Sequence, residues 1–242
     1  MKIVDFKKLF TRLTGYWVHK QSTLPIGSDL FYDIQKRLRY PNLDIIFDVG
    51  ANEGQTIDWI RHHLSGSAVY CFEPVKKVYE ILKYNTSSVR NCVIENIAFG
   101  EKSGTKEIAL YDELSVLNSL RDDLMNPNKN SVKETICIST IDEYCIQNNI
   151  KNIDLLKIDT EGYEMNVLEG AFDMLKGKKI SFIFCEVGFL QSNKRNTSFS
   201  ELCEYLSLKG FNFYSLYQMS DHDWKNGNVF ANALFVNKLI NT

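Results

Sequence analysis

The chain has 242 residues, 44% of them hydrophobic, which suffices to bury a sizeable core in one α/β domain. A formal net charge of −2, with basic runs no longer than pairs such as Lys178 and Lys179, excludes the clustered cationic face that nucleic-acid binding requires. The six cysteines stand singly without a Cys-x-x-Cys pair, which argues against a zinc site or a disulfide framework, and with no signal peptide or apolar run of spanning length a reduced, cytoplasmic setting is expected.

Residues 1–40 read as an amino-terminal helical extension ahead of a domain at 41–242. Phe6, Leu9, Phe10, Leu13 and Trp17 recur at helical spacing with Lys7, Lys8 and Arg12 between them, which predicts an amphipathic basic helix. The ordinary use of such a helix is to cap the domain or meet a second subunit; the pattern also suits peripheral contact with the inner face of a membrane. Gly27 and Ser28 then break the chain before a second helix at 29–39, which Pro41 closes.

The run IIFDVGANEGQ, 45–55, follows. Ile45, Ile46, Phe47 and Val49 make a short apolar strand of the kind covered on both faces. Gly50 and Gly54 permit a sharp turn and close approach of a ligand to the backbone. A helix is expected at 53–64 and a second strand at 68–72, delivering Glu73 about 20 residues past Gly54, where an acid meets ribose hydroxyls in mononucleotide-binding halves. The turn departs from the dinucleotide pattern, since Asp48 ends the strand and would repel a diphosphate, and Asn52 replaces the second glycine. A carboxylate and an amide suit an adenosine cofactor with an ammonium group and no phosphate, such as S-adenosylmethionine.

Further along, a helix near 75–85 leads to a third strand at about 92–98. Between 104 and 139 the pattern is β-rich and irregular, an insertion reaching toward the active face. A helix at 140–149, a strand at 153–158, a helix at 163–175 and a strand at 180–186 come next, then a helix at 199–209 and strands near 211–216 and 229–236. This alternation predicts a doubly wound, mostly parallel sheet, with ligands beyond the carboxyl ends of its strands. Asp48, Glu73, Asn96, Asp159 and Glu186 all fall at or just after those ends. Cys71, Cys92, Cys137 and Cys185 fall within expected strands as small buried hydrophobes.

The segments FDVGANEGQT (47–56), CFEP (71–74), IENIAFG (94–100), STIDEY (139–144), LLKIDTEGYEMNVLEG (155–170) and FCEV (184–187) together make the chain resemble the FkbM-type methyltransferase family, over about residues 29–236. The resemblance implies a Rossmann-like class I methyltransferase with a seven-stranded sheet whose last strand is antiparallel. It implies S-adenosylmethionine-dependent transfer to oxygen, on sugars of surface polysaccharides or glycoconjugates or on natural-product intermediates. It also implies that Asn96 and Ala98 pass the adenine, and that SVLNSL at 115–120 lies near the cofactor or acceptor.

An acceptor hydroxyl must lose its proton, which calls for a base or a metal. Asp159 is the first candidate for the acceptor-side carboxylate, with Glu161 and Glu186 in support; Glu164 reads instead as an acid favourably opposing a helix dipole. Asp159 and Glu186 would hold a hard cation such as Mg2+ if one is used. His222, in a loop with Tyr217, Asp221, Asp223 and Trp224, is a further candidate base, against a plain polar connection. Other classes stay open: a nucleotide-dependent oxidoreductase sharing the fold, an amine or nucleic-acid methyltransferase, which would favour a DPPY-like run where DTEG stands, and a noncatalytic module, which would have no use for the acids.

Overall fold

A computed structural model describes residues 3–16, 18–110, 132–190, 195–219 and 229–241. In chain order come α1 (Ile3–Thr14), a single helical turn α2 (Leu30–Tyr32) continuing as a π turn over Asp33–Arg37, β1 (Ile45–Val49), α3 (Gln55–His63), β2 (Ala68–Phe72) and α4 (Lys76–Asn85). Then follow β3 (Cys92–Glu95), β4 (Ala98–Phe99), β5 (Gly104–Leu110), β6 (Val132–Ser139), α5 (Ile141–Gln147) and β7 (Ile153–Ile158). The rest is α6 (Glu164–Glu169), α7 (Phe172–Lys176), β8 (Ile180–Gly188), α8 (Phe199–Leu208), β9 (Phe211–Tyr217) and β10 (Phe230–Asn237).

The central sheet has seven strands in the order β3-β2-β1-β7-β8-β10-β9, and β10 runs antiparallel to both neighbours. The order reverses between β1 and β7, so a crevice opens at the carboxyl ends of these two strands. Alternate residues of each central strand enter different cores: Phe47, Val49, Leu156 and Ile158 pack in one, Ile46, Leu155, Phe182 and Phe184 in the other. Burial on both faces is why these strands read as continuous apolar runs.

Four expectations need correction. The expected strand at 92–98 breaks in the middle: Asn96 Nδ2 donates to the carbonyls of Glu73 and Pro74, and after this anchor Ala98 and Phe99 pair with Ile138 and Ser139 in a separate three-stranded sheet, β4-β6-β5. The expected helix at 163–175 is two helices, because the Gly170 carbonyl turns aside to accept from Asp142 N–H while the Asp142 carboxylate accepts from the N–H groups of Asp173 and Met174 at the start of α7. Cys137 is exposed and Cys92 half-buried, so only Cys71 and Cys185 of the strand cysteines are buried.

Part of the expected extension belongs to the domain. Leu30, Phe31 and Ile34 are core residues packed with Ile46, Val69 and Leu234, and the buried Asp33 carboxylate accepts from Gly27 N–H, Tyr217 Oη and Arg37 Nε. By contrast, among the described residues none before Leu30 enters a core.

Where α6 ends, Gly170 lies against the backbone of Gly100, and a Cβ there would fall inside the contact radius of the Gly100 carbonyl oxygen. Its φ of −73° is open to any residue, so the need for glycine is purely steric. Gly170→Ala should therefore lower the melting temperature by roughly 5 °C or more through overpacking, read by differential scanning fluorimetry.

Candidate active site

The turn after β1 is held by backbone bonds before any side chain acts. Gly50 and Ala51 both donate N–H to the Phe72 carbonyl, tying the ends of β1 and β2. Gly50 has φ +78°, and a Cβ there would collide with the carbonyl oxygen of Asp159, so its glycine lets β7 close against the turn. Asn52 is left-handed at φ +48°; its Oδ1 accepts from Glu53 N–H, and its own N–H donates to Glu73 Oε2 at 3.1 Å. Glu73 Oε1 accepts from Val75 N–H at 2.9 Å. Burial pushes the Glu73 carboxyl up to about 7 although both backbone donors favour its charge.

Lys157 lies on β7 in the middle of this rim. Its Nζ is 2.9 Å from Asp48 Oδ1 and 3.5 Å from Asp159 Oδ2. Asp48 is fully buried and its Oδ2 has no hydrogen-bond partner among the described residues, whereas Asp159 keeps 38% of its side chain exposed. Burial works against the lysine charge, but the two carboxylates outweigh it and raise its pKa above the ordinary lysine value. The salt bridge thus joins a carboxylate beneath the rim to one on its surface.

The turn between β7 and α6 is built around Glu164, which is buried. Its Oε1 accepts from Thr160 N–H, Thr160 Oγ1 and Gly162 N–H, and its Oε2 from Thr197 Oγ1 at 2.6 Å. Beyond sitting in the first turn of α6, Glu164 therefore shapes the whole DTEG bend. Within that bend Glu161 has φ +53°, a strained conformation for a non-glycine residue. Burial and the nearby Asp159 carboxylate push Glu161 up to about 7 against the opposing charge of Arg195, whose Nη1 is 3.9 Å from Glu161 Oε2. Glu186, bonded by Asn196 Nδ2, is pushed up to about 8 by burial and by the carboxylates of Asp159, Glu161 and Glu164.

These elements enclose a cleft of about 350 Å3, within the range of small-molecule sites. Phe72, Val78, Ala98, Phe99 and Ile108 give it an apolar wall, while Lys157, Asp159, Glu161 and Glu186 make its other end. Of the sequence candidates, Gly50, Asn52, Glu73, Ala98, Asp159, Glu161 and Glu186 line it together. Asp48, Gly54 and Asn96 are not on its wall. Asp48 supports it through Lys157, Asn96 pins the turn at Pro74, and Gly54, with φ +96°, opens α3 against Leu82 and Thr86. The SVLNSL segment and His222, with Asp221, Asp223 and Trp224, lie outside the described residues.

Sequence reasoning missed Lys157, although a charge inside the apolar run LLKI is a signal that it has a partner. It also missed Asn196 and Thr197, for which no local pattern exists. For the Mg2+ expectation the geometry gives no support: among the described residues no group of three or more His, Cys, Asp or Glu side chains is arranged to hold a metal ion. The cleft does fit S-adenosylmethionine, with an apolar wall for the purine and Glu73 for the ribose hydroxyls.

Sheet order, antiparallel tenth strand and cleft are those of a Rossmann-like class I methyltransferase, and the family match supplies the activity. Residues 48–213, more than half of the chain, match the family described as Methyltransferase FkbM domain, and the chain belongs to that family. This removes the oxidoreductase and noncatalytic alternatives. A similar curated protein, "Methyltransferase 1" of Beauveria bassiana (strain ARSEF 2860), is 24% identical over 67% of this chain and 69% of its own length. Among solved structures, an rRNA methylase from Streptococcus thermophilus gives a TM-score of 0.49 at 12% identity, covering 88% of this chain and 99% of that one. Magnesium protoporphyrin IX methyltransferase from Synechocystis PCC 6803, with bound SAM, gives 0.48 at 10% identity over 86% and 77%. The acceptors in those names are those proteins' own.

Two measurements test the electrostatics. Lys157→Met leaves Asp48 buried without its counter-ion and should destabilise the fold by about 3–5 kcal/mol in chemical denaturation, while adding Asp48→Leu should recover much of that loss. Glu73, Glu161 and Glu186 have folded values of about 7, 7 and 8 against an ordinary 4.5, so between those limits the native state binds more protons than the unfolded chain. Stability of the cofactor-free protein should then be greatest near the acid end of that window and fall as pH rises through it; Glu186→Gln should flatten the upper part of a melting-temperature profile taken from about pH 5 to 8.

Proposed function

We propose that this methyltransferase acts on oxygen, with the acceptor hydroxyl borne by a sugar of a surface polysaccharide or glycoconjugate. The observation that carries this reading is the acidic end of the cleft, where Asp159, Glu161 and Glu186 converge beside the cofactor turn. Three carboxyl groups repel an anionic reacting group and provide hydrogen bonds for a neutral polyol. The cofactor supplies an electrophilic methyl group carried on a sulfonium. What remains for the protein is to align the hydroxyl with that methyl and to take the proton away.

Asp159 is the residue in position to accept that proton. Its side chain is more exposed than those of Asp48 and Glu161, and Lys157 holds it from behind. Glu161 and Glu186, both raised toward neutrality, hold protons over part of the working range and so can donate to acceptor oxygens as well as accept from acceptor hydroxyls. Glu73, Asn52 and the apolar wall serve the cofactor half. The free cysteines suit a cytoplasmic setting, which is part of the same proposal.

Incubation with labelled methyl donor and a panel of nucleotide sugars, free glycans, phenols and amines tests the acceptor class: label on a sugar oxygen supports the reading, and label confined to amines or phenols overturns it. With the acceptor in hand, Asp159→Asn should lower kcat by about a hundredfold or more, while calorimetric affinity for S-adenosylhomocysteine stays within a few-fold of the parent. Equal loss of cofactor binding would move Asp159 to the cofactor half of the site.

A further inference from the structure

We propose that α1 binds an anionic lipid surface, lying in the plane of the interface with Leu9 and Leu13 in the acyl boundary and Lys7, Lys8 and Arg12 at the headgroups. The helix spans Ile3–Thr14 with the sequence IVDFKKLFTRLT. At about 100° per residue, Leu9 and Leu13 share one face, with Arg12 and Lys8 toward one side of it and Lys7 toward the other. Leu9 is 48% exposed and Leu13 74%, with Tyr16 just beyond the helix at 73%. An apolar stripe bordered by long cationic side chains on both edges is the form that lets leucines enter lipid while the ammonium and guanidinium groups reach the phosphates.

Two other occupants of this face fit less well. The chain's own domain does not bury it, since Leu9 and Leu13 stay exposed and no residue before Leu30 enters a core among the described residues. A second copy needs about 800 Å2 from each partner for a stable interface. One face of a helix about 18 Å long presents only a few hundred Å2. The helix sequence carries three cations and one acid, Asp5, and two net positive charges favour an anionic surface on the order of thirtyfold over a neutral one at low salt.

The test is co-sedimentation of the full-length protein with phosphatidylcholine vesicles containing phosphatidylglycerol and with phosphatidylcholine vesicles alone. The expected result is binding to the anionic vesicles on the order of thirtyfold tighter, falling as salt is raised. Leu9→Glu/Leu13→Glu and, separately, Lys7→Glu/Arg12→Glu should abolish it, with melting temperature and S-adenosylhomocysteine affinity unchanged in both. No sedimentation at low salt, equal binding to neutral vesicles, or full binding by either double variant would each overturn the proposal. So would a dimer in sedimentation velocity that Leu9→Glu/Leu13→Glu dissolves while the parent ignores vesicles.

Discussion

The salt bridge from Lys157 to Asp48 and Asp159 is the constraint on which the site depends. Asp48 and Lys157 are opposite one another in the register of β1 and β7, at the point where the strand order reverses. A carboxylate with no exposure costs several kcal/mol unless a charge faces it, and the lysine meets that need from the adjacent strand. Because the same ammonium also reaches Asp159 two residues on, the requirement to compensate a buried acid becomes a means of fixing a surface one. Gly50 completes the arrangement, for the Asp159 backbone occupies the space a side chain there would fill.

The remaining acids divide by how much hydrogen bonding each receives. Glu164 takes four donors and is used up in holding the bend; Glu73 takes two backbone donors and stays on the cleft wall. Glu161 faces a guanidinium at 3.9 Å and Glu186 is bonded by an amide. Burial raises the proton affinity of Glu73, Glu161 and Glu186 alike, and in the last two the neighbouring carboxylates, Asp159 first, add to it. A row of acids that looks uniform in the sequence is therefore a graded set, from a structural anchor to groups able to exchange protons near neutrality.

Much of the framework was legible because it is written in local periodicity. The strands at 45–49, 68–72 and 153–158 have the bounds their apolar runs suggested, and the antiparallel final strand follows the family resemblance. What was not legible is non-local. The third strand breaks because an amide at Asn96 finds carbonyls on a different segment, and the helix at 163–175 divides because Asp142, some thirty residues earlier, supplies a competing cap. Asn196 and Thr197 reach Glu186 and Glu164 from a loop that carries no motif. Asp48 was read as a group facing the ligand; only its cross-strand lysine shows that it acts from beneath.

This division has a chemical consequence. The part of the cleft beside the Gly50 turn, proposed for the cofactor, is made from strand ends and backbone N–H groups whose positions are fixed by the sheet. The acidic end, proposed above to meet the acceptor, is made from side chains on the β7–α6 bend and on β8, one of them at a strained φ, whose hydrogen-bonding character changes with a single proton. A scaffold of that kind can keep one methyl donor while its acceptor changes, because replacing Glu161, Arg195 or Asn196 alters what the acceptor meets without touching the turn at Gly50. On that proposal specificity belongs to the residues with the fewest backbone constraints, and the salt bridge beneath them holds Asp159 in place whichever acceptor arrives.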